Sequence, residues 1–158
     1  MSPETDEEHA ALVVDPDPAT REILSRLLLD AGYRPTFAEN RGEASRLIGD
    51  SQFDLMLIEV ELPDGSGLDL ARTIIEGDTD CVVLVLAAHA SIDSAIAALR
   101  LRATDYLVKP LQGAEIILER IIEAVHHLEQ IRRQRQLVQN LELLATRDTL
   151  TGLFNYAY

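Results

Sequence analysis

Three charged side chains stand at the ends of predicted strands, where they could meet and act together. Asp15 directly follows the apolar run Ala11–Val14, Glu59 directly follows Leu55–Ile58, and Lys109 follows the last predicted strand. Open α/β folds place their sites at the carboxyl edge of the sheet, so we expect all three side chains at that edge. A lysine beside two carboxylates neutralises a crowded acidic edge, which is the structural role that we predict for Lys109.

The run Leu55–Ile58 is the element around which the other strands are predicted to assemble. It is short and wholly apolar, and it is bounded by Asp54 on one side and by Pro63-Asp64-Gly65 on the other. Such a run is typical of a strand that is buried on both faces of a parallel sheet. We therefore predict that it forms the central strand.

Strands and helices alternate five times, with short connections between them. Pro35 lies within the second predicted strand and cannot donate a ladder hydrogen bond, which favours a sheet edge for that strand. Because parallel crossovers are right-handed, the pattern predicts a doubly wound α/β fold, with a five-stranded parallel sheet in the flavodoxin-like order 2-1-3-4-5. The predicted helix caps are Asp17 followed by Pro18, Asn40, and Ser91.

A long C-terminal helix is predicted, because no proline and no interior glycine occur from Gly113 to about Thr146. Its first half can pack on the sheet. Its second half carries an apolar stripe that needs a partner, either a second copy in a coiled coil or the chain's own domain. We favour a parallel homodimer, because the intervening polar run, which includes Gln134 and Arg135, is too hydrophilic to fold back. The stripe consists of Leu128, Ile131, Val138, Leu141 and Ala145.

Composition limits the function classes. The 158 residues carry a net charge of −13, which disfavours nucleic acid and anionic membranes as partners. The single cysteine, Cys81, offers neither a disulfide nor a paired-cysteine metal motif, and no apolar run is long enough for a membrane span. His126 and His127 are adjacent and lack metal-ligand spacing. We expect a cytoplasmic protein without a cofactor or metal.

Several of these residues together resemble the receiver domain of two-component response regulators over about Ala10 to Val125. They are Asp15, Glu59 followed by Leu62-Pro63-Asp64-Gly65, Ala87, Tyr106 and Lys109-Pro110. The segment from Arg147 to Asn155, RDTLTGLFN, resembles the opening of GGDEF diguanylate cyclase domains. The predicted parts are therefore an acidic disordered tail (1–9), a receiver-like domain (10–125), a coiled-coil stalk (126–146) and the start of an output domain (147–158).

The resemblance implies phosphoryl chemistry, but this sequence departs from the pattern at three places. In the family, an aspartate accepts the phosphoryl group, an acidic pair shares a divalent cation with it, a lysine neutralises the transferred oxygens, and a hydroxyl and an aromatic residue switch the surface. Here Glu59 replaces the aspartate, Pro16 replaces one acid and Ala87 replaces the hydroxyl. Tyr106 is either a vestigial switch or a half-buried residue with its hydroxyl in water.

We therefore expect a phosphorylation-independent receiver that dimerises and controls a diguanylate cyclase output. The chain itself lacks a GGDEF signature, so it is not expected to be an enzyme. The face formed by the fourth helix, fifth strand and fifth helix is a second expected dimer surface, and the resemblance implies a histidine kinase or another signalling protein as a further partner. The alternatives are a working phospho-receiver that uses Glu59 and a stand-alone protein-interaction module.

Overall fold

The computed structural model describes residues 9–77, 80–111 and 113–151, without the side chains of residues 114 and 147–151. The strands are β1 (His9–Val14), β2 (Tyr33–Ala38), β3 (Leu55–Glu59), β4 (Glu61–Leu62), β5 (Gly65–Ser66), β6 (Val82–Ala87) and β7 (Asp105–Val108). The helices are α1 (Pro18–Asp30), α2 (Arg41–Asp50), α3 (Gly67–Glu76), α4 (Ile92–Arg100) and α5 (Ala114–Thr151).

The main sheet has five parallel strands in the order β2-β1-β3-β6-β7, which confirms the predicted doubly wound fold. β3 is central and buried along its whole length, and β2, which contains Pro35, lies at an edge, both as predicted. β4 and β5 form a small antiparallel hairpin between β3 and α3, where the sequence showed only the boundary Pro63-Asp64-Gly65 after the central run. The fourth and fifth predicted strands are therefore β6 and β7.

Side-chain caps fix where the first four helices begin. Asp17, Asn40 and Ser91 accept hydrogen bonds from the backbone N–H groups of Ala19, Glu43 and Ser94, and these three caps were predicted. Ser66 caps α3 in the same way, which the sequence analysis missed. Such caps satisfy N–H groups that have no partner inside the helix.

The hydrophobic core lies on both sides of the sheet. Right-handed crossovers that progress from β2 to β7 place α2, α3 and α4 on one face, and a buried cluster from Leu12, Met56, Ala71, Ile74 and their neighbours fills that side. On α3 the buried side chains are those of Leu70, Ala71 and Ile74. Ile92 and Leu99 of α4 are 79% and 77% exposed, and Ala98 is the buried residue of that helix.

α5 is one continuous helix of 38 residues, which confirms the predicted long C-terminal helix. Ile117, Ile121 and Val125, on its first turns, are buried. The chain divides into two compact units, Met1–Val125 and His126–Tyr158. No helix in the described ranges is long and apolar enough to cross a membrane.

Two predicted segments lie wholly or partly outside the described residues. Of the predicted acidic tail, residues 1–8 are outside, and His9 belongs to β1 rather than to a tail. Of the predicted start of an output domain, residues 147–151 form the end of α5 and residues 152–158 are outside.

Candidate functional site at the carboxyl edge of the sheet

Asp15, Glu59 and Lys109 lie together where β1, β3 and β7 end. The Lys109 Nζ atom is 2.5 Å from Asp15 Oδ2 and 2.8 Å from Glu59 Oε2, so one ammonium bridges two carboxylates. The side chains of Asp15, Glu59 and Lys109 are only 0%, 2% and 10% exposed. This arrangement is a buried, hydrogen-bonded ion triad, in which each charge depends on the others because water is excluded.

Backbone hydrogen bonds hold the three residues in register. Val14 pairs with Ile58 across β1 and β3, so the residues that follow them emerge at the same edge. The Lys109 N–H donates to the Ala87 carbonyl at 2.9 Å, which ties the end of β7 to the end of β6. The sheet register therefore sets the position of the triad, and no mobile loop is needed to assemble it.

The carboxylate of Glu59 has backbone donors as well as the lysine. Its Oε1 atom accepts from the Ala88 N–H at 3.2 Å and, more weakly, from the Glu61 N–H at 3.4 Å. Its Oε2 atom faces Lys109. The N–H groups at one oxygen and the ammonium at the other surround the carboxylate with donors, and such donors stabilise an oxyanion. The longer side chain of a glutamate places its own carboxylate among these donors.

Gly67 allows the chain to close tightly behind Glu59. A Cβ atom at position 67 would lie 1.8 Å from the Glu59 carbonyl oxygen, far inside van der Waals contact. The Gly67 N–H also donates to the Val60 carbonyl at 2.8 Å. The start of α3 thus presses against the end of β3, and only glycine permits this approach.

The electrostatics of the triad combine burial with pairing. Burial lowers the pKa of Lys109, but the hydrogen bonds and charges of Asp15 and Glu59 outweigh burial, so the pKa is raised overall. For Asp15, burial raises the pKa, and the hydrogen bond from Lys109 does not fully offset that cost. Lys109 is stabilised by two carboxylates, whereas Asp15 shares its single ammonium with Glu59, so pairing outweighs burial for Lys109 but not for Asp15.

The residues present do not fit the divalent cation that the receiver resemblance implies. Pro16 is exposed and carries no ligand oxygen, and the Asp17 carboxylate is engaged at the start of α1 with the Thr20 hydroxyl and the Ala19 N–H. Asp15 and Glu59 already face the ammonium of Lys109. Within the described residues, no group of three or more acidic, histidine or cysteine side chains could hold a metal ion.

The two predicted switch positions have different surroundings. Ala87, the last residue of β6, is fully buried. Tyr106 is half-buried on β7, and its hydroxyl lies 2.6 Å from the Ser94 hydroxyl of α4. The half-buried position of Tyr106 agrees with one of the two predicted readings, and its hydroxyl has a protein partner that the sequence did not reveal. Ser94 was missed because nothing in the spacing of α4 marks it as the partner of a strand residue.

Comparison with known proteins identifies the family. A model of the response regulator receiver domain matches residues 11–121. The chain belongs to this family. It is 41% identical over 101 residues to the response regulator protein PilR of Pseudomonas aeruginosa, an alignment that covers 64% of the chain and 23% of PilR. The chain spans between about a quarter and a half of the length of the first curated relatives that it matches.

Two solved structures illustrate the family. The beryllofluoride-activated NtrC4 receiver domain, described as a dimer, is 33% identical, with a TM-score of 0.70 and coverage of 75% of this chain and 98% of that chain. A response regulator protein from Burkholderia pseudomallei, described with a phosphorylated aspartic acid and a calcium ion, is 29% identical. Its TM-score is 0.65, with coverage of 82% of this chain and 74% of that chain. Receiver domains of this family act in signal transduction, and they commonly dimerise.

Proposed function

We propose that this chain is a degenerate receiver that works without phosphorylation, as the regulatory and dimerisation module of a protein with a diguanylate cyclase output. The observation that carries the proposal is the carboxylate of Glu59, seated between Lys109 and the N–H groups of Ala88 and Glu61. A transferred phosphoryl group would need those same donors for its oxygens. Glu59 thus occupies the position with a fixed negative charge and imitates part of the phosphorylated state.

The absence of a switch hydroxyl limits this imitation. Ala87 is buried and has only a methyl group, so it cannot form a hydrogen bond to the Glu59 carboxylate. In the proposed receiver, side-chain packing therefore fixes the conformation of α4 and β7. The Tyr106–Ser94 hydrogen bond supports this view, because it fastens β7 to α4 directly. The proposed receiver is therefore held in one state rather than switched.

The proposed dimer runs through the distal half of α5. Its core positions follow the alternating three- and four-residue spacing of a coiled coil. Each apolar side chain that is buried in such a seam stabilises the dimer by about 1.5–3 kcal/mol, before the conformational entropy lost on ordering is subtracted. Val138 and Leu141 are 52% and 57% exposed in the single chain, so they have apolar surface to bury. A parallel pair would deliver two output domains to the same end. The seam positions are Ile131, Gln134, Val138, Leu141 and Ala145, with Leu128 at the entrance.

Phosphorylation assays test the first part of the proposal. We expect no stable added phosphate by mass spectrometry after incubation with acetyl phosphate and Mg²⁺, and none for Glu59→Asp alone, because Pro16 still removes a metal ligand. Glu59→Asp with Pro16→Asp, and with Ala87→Thr added, should restore phosphorylation. Phosphate on the unaltered chain would favour the alternative of a working phospho-receiver and would refute the proposal.

Sedimentation tests the second part. Truncation after Val125 should convert a dimer into a monomer or a much weaker dimer, because it removes the seam. If the truncated chain dimerises as tightly as the whole chain, then the exposed apolar face of α4, with Ile92 and Leu99, is the main interface. Glu59→Gln keeps the shape of the side chain and removes its charge, so an unchanged dissociation constant would eliminate the mimicry.

The proposed diguanylate cyclase output rests on the residues Arg147–Asn155, which resemble the opening of a GGDEF domain. The decisive test is to express the chain together with whatever sequence follows Tyr158 in its gene and to measure the conversion of GTP to cyclic di-GMP. A following segment with another activity, or the absence of one, would instead favour a stand-alone interaction module.

A further inference from the structure

Glu61 and His89 form a hydrogen-bonded pair at the rim of the candidate site, which we call the rim pair. The Nδ1 atom of His89 lies 3.1 Å from the Oε2 atom of Glu61. Glu61 begins β4, and His89 lies two residues after β6, so the pair joins loops that follow two neighbouring strands of the sheet. The side chains of His89 and Glu61 are 78% and 64% exposed, so the histidine can exchange its proton with water.

The two loops that the rim pair joins also supply the backbone donors of Glu59. The Ala88 N–H, next to His89 in the chain, donates to Glu59 Oε1 at 3.2 Å, and the Glu61 N–H donates to the same oxygen at 3.4 Å. Both distances lie at or beyond the long end of the usual range of about 2.7–3.2 Å, so these two bonds are weak. A contact that draws the loops together would shorten them and would hold the carboxylate more firmly.

The strength of the rim pair depends on the protonation of His89. A carboxylate oxygen only accepts hydrogen bonds, so the Nδ1 atom that faces Glu61 must carry a proton. The neutral ring carries that proton in only one of its two tautomers, whereas the imidazolium always carries it and adds an ionic attraction. Histidine is the side chain that ordinarily changes its charge between about pH 5 and about pH 8. Acidification in this range therefore strengthens the pair.

The other charged groups around the rim pair have contacts elsewhere. In the described part of the chain, Glu61 is the one charged group within ion-pairing distance of the His89 ring. On β7, Lys109 belongs to the ion triad. In the β4–β5 hairpin, the Asp64 carboxylate accepts hydrogen bonds from two N–H groups at the start of α2. On α4, Asp93 lines the cleft between α3 and α4. Titration of His89 therefore acts first on Glu61.

We propose that the rim pair is a pH-sensitive clasp on the candidate site. Protonation of His89 tightens its bond to Glu61, draws the two loops together and shortens the N–H hydrogen bonds that hold the Glu59 carboxylate. Exposed ion pairs contribute little free energy, so the clasp adjusts how firmly Glu59 is held and does not act as an all-or-none switch. The clasp goes beyond the proposed function, because it needs neither phosphorylation nor a stalk, and it rests on that function only for its effect on the dimer.

An NMR titration of the full chain from about pH 5 to about pH 8 tests the proposal. The carboxylate carbon of Glu59 and the amide of Glu61 should shift with the same midpoint as the His89 ring, although neither adjoins His89 in the chain. His89→Gln keeps a polar side chain that does not titrate in this range, and it should abolish both shifts. Glu61→Gln retains the histidine but removes its charged partner, and it should at least halve the shift of the Glu59 carbon.

His126→Gln is the matched control, because it removes an exposed histidine of α5 whose ring lies beside Gln130. It should leave the shifts of Glu59 and Glu61 unchanged, and their loss in this variant would overturn the proposal. Constant shifts across the titration would overturn it too. Shifts that persist in His89→Gln would mean that another group titrates, which contradicts the clasp.

A shift of full size for the Glu59 carbon in Glu61→Gln would show that His89 acts through its charge alone, without the pair, and would also overturn the proposal. Failure of the clasp leaves the proposed function standing, since the phosphorylation and sedimentation assays test that function separately.

Discussion

Replacing Lys109 by methionine should be among the most damaging single changes at the candidate site. The substitution keeps most of the length and volume of the side chain but leaves the buried carboxylates of Asp15, 0% exposed, and Glu59, 2% exposed, without their shared ammonium. Removing one partner of a buried ion pair typically costs about 3–5 kcal/mol, because a buried charge is left uncompensated. Here two carboxylates lose their partner, so we expect a loss in the upper part of that range.

Urea unfolding followed by far-UV circular dichroism measures this loss. The chain has no tryptophan, so backbone ellipticity is a more suitable signal than fluorescence. The matched control is Arg26→Met, which breaks an exposed pair with Glu22 and should change stability by less than about 0.5 kcal/mol. A triple variant, with Lys109→Met, Asp15→Asn and Glu59→Gln, should recover most of the stability, since no buried charge remains.

Two results would refute the reasoning. A loss below about 1 kcal/mol for Lys109→Met would mean that the carboxylates do not depend on the lysine, either because they are protonated or because water reaches them. A triple variant as unstable as the single variant would mean that Lys109 acts through packing of its chain rather than through charge.

Three further outcomes are expected. Gly67→Ala should destabilise the fold by about 3 kcal/mol, because its Cβ would meet the Glu59 carbonyl, whereas Gly49→Ala, with open space in α2, should stabilise it by about 0.5–1 kcal/mol; urea unfolding compares the two. The raised pKa of Lys109 contributes stability that is fully present below pH 10.5 and is lost as the pH rises through the pKa of the folded state. The free energy of unfolding, measured from about pH 9 to about pH 12, should therefore fall for the unaltered chain and fall less steeply for Lys109→Met. Gln134→Leu should tighten the dimer in sedimentation while Gln136→Leu, on the outer face of the helix, should not; equal effects would place the seam elsewhere.

The order of the sheet was predictable because local signals agreed with one another. Each local signal constrains one element: the apolar run Leu55–Ile58 marks the central strand, Pro35 marks an edge strand, and Asp17 and Asn40 mark helix starts. The right-handedness of parallel crossovers then favours one order of the strands. The meeting of Asp15, Glu59 and Lys109 follows from the same reasoning, since parallel strands bring their carboxyl ends to one edge.

Other features depend on contacts that spacing does not reveal. The Ala88 and Glu61 N–H groups at Glu59 are backbone donors, and a backbone donor has no signature in a sequence. The hairpin of β4 and β5 is too short for a periodic pattern. Helical spacing of apolar residues is the same whether the face they form packs inside the domain or stays at the surface, so spacing alone does not reveal that Ile92 and Leu99 are exposed.

The side chain of Glu59 also changes how long a signalling state can last. The phosphoryl group on an aspartate is an acyl phosphate, which hydrolyses, and its lifetime is a timer for any response that depends on it. A carboxylate seated beside Lys109 is part of the polypeptide and does not hydrolyse. In the proposed function, the lifetime of the state that Glu59 stabilises is therefore not limited by hydrolysis. The dimer population would follow protein concentration by mass action, and synthesis and degradation of the chain would set the duration of the response.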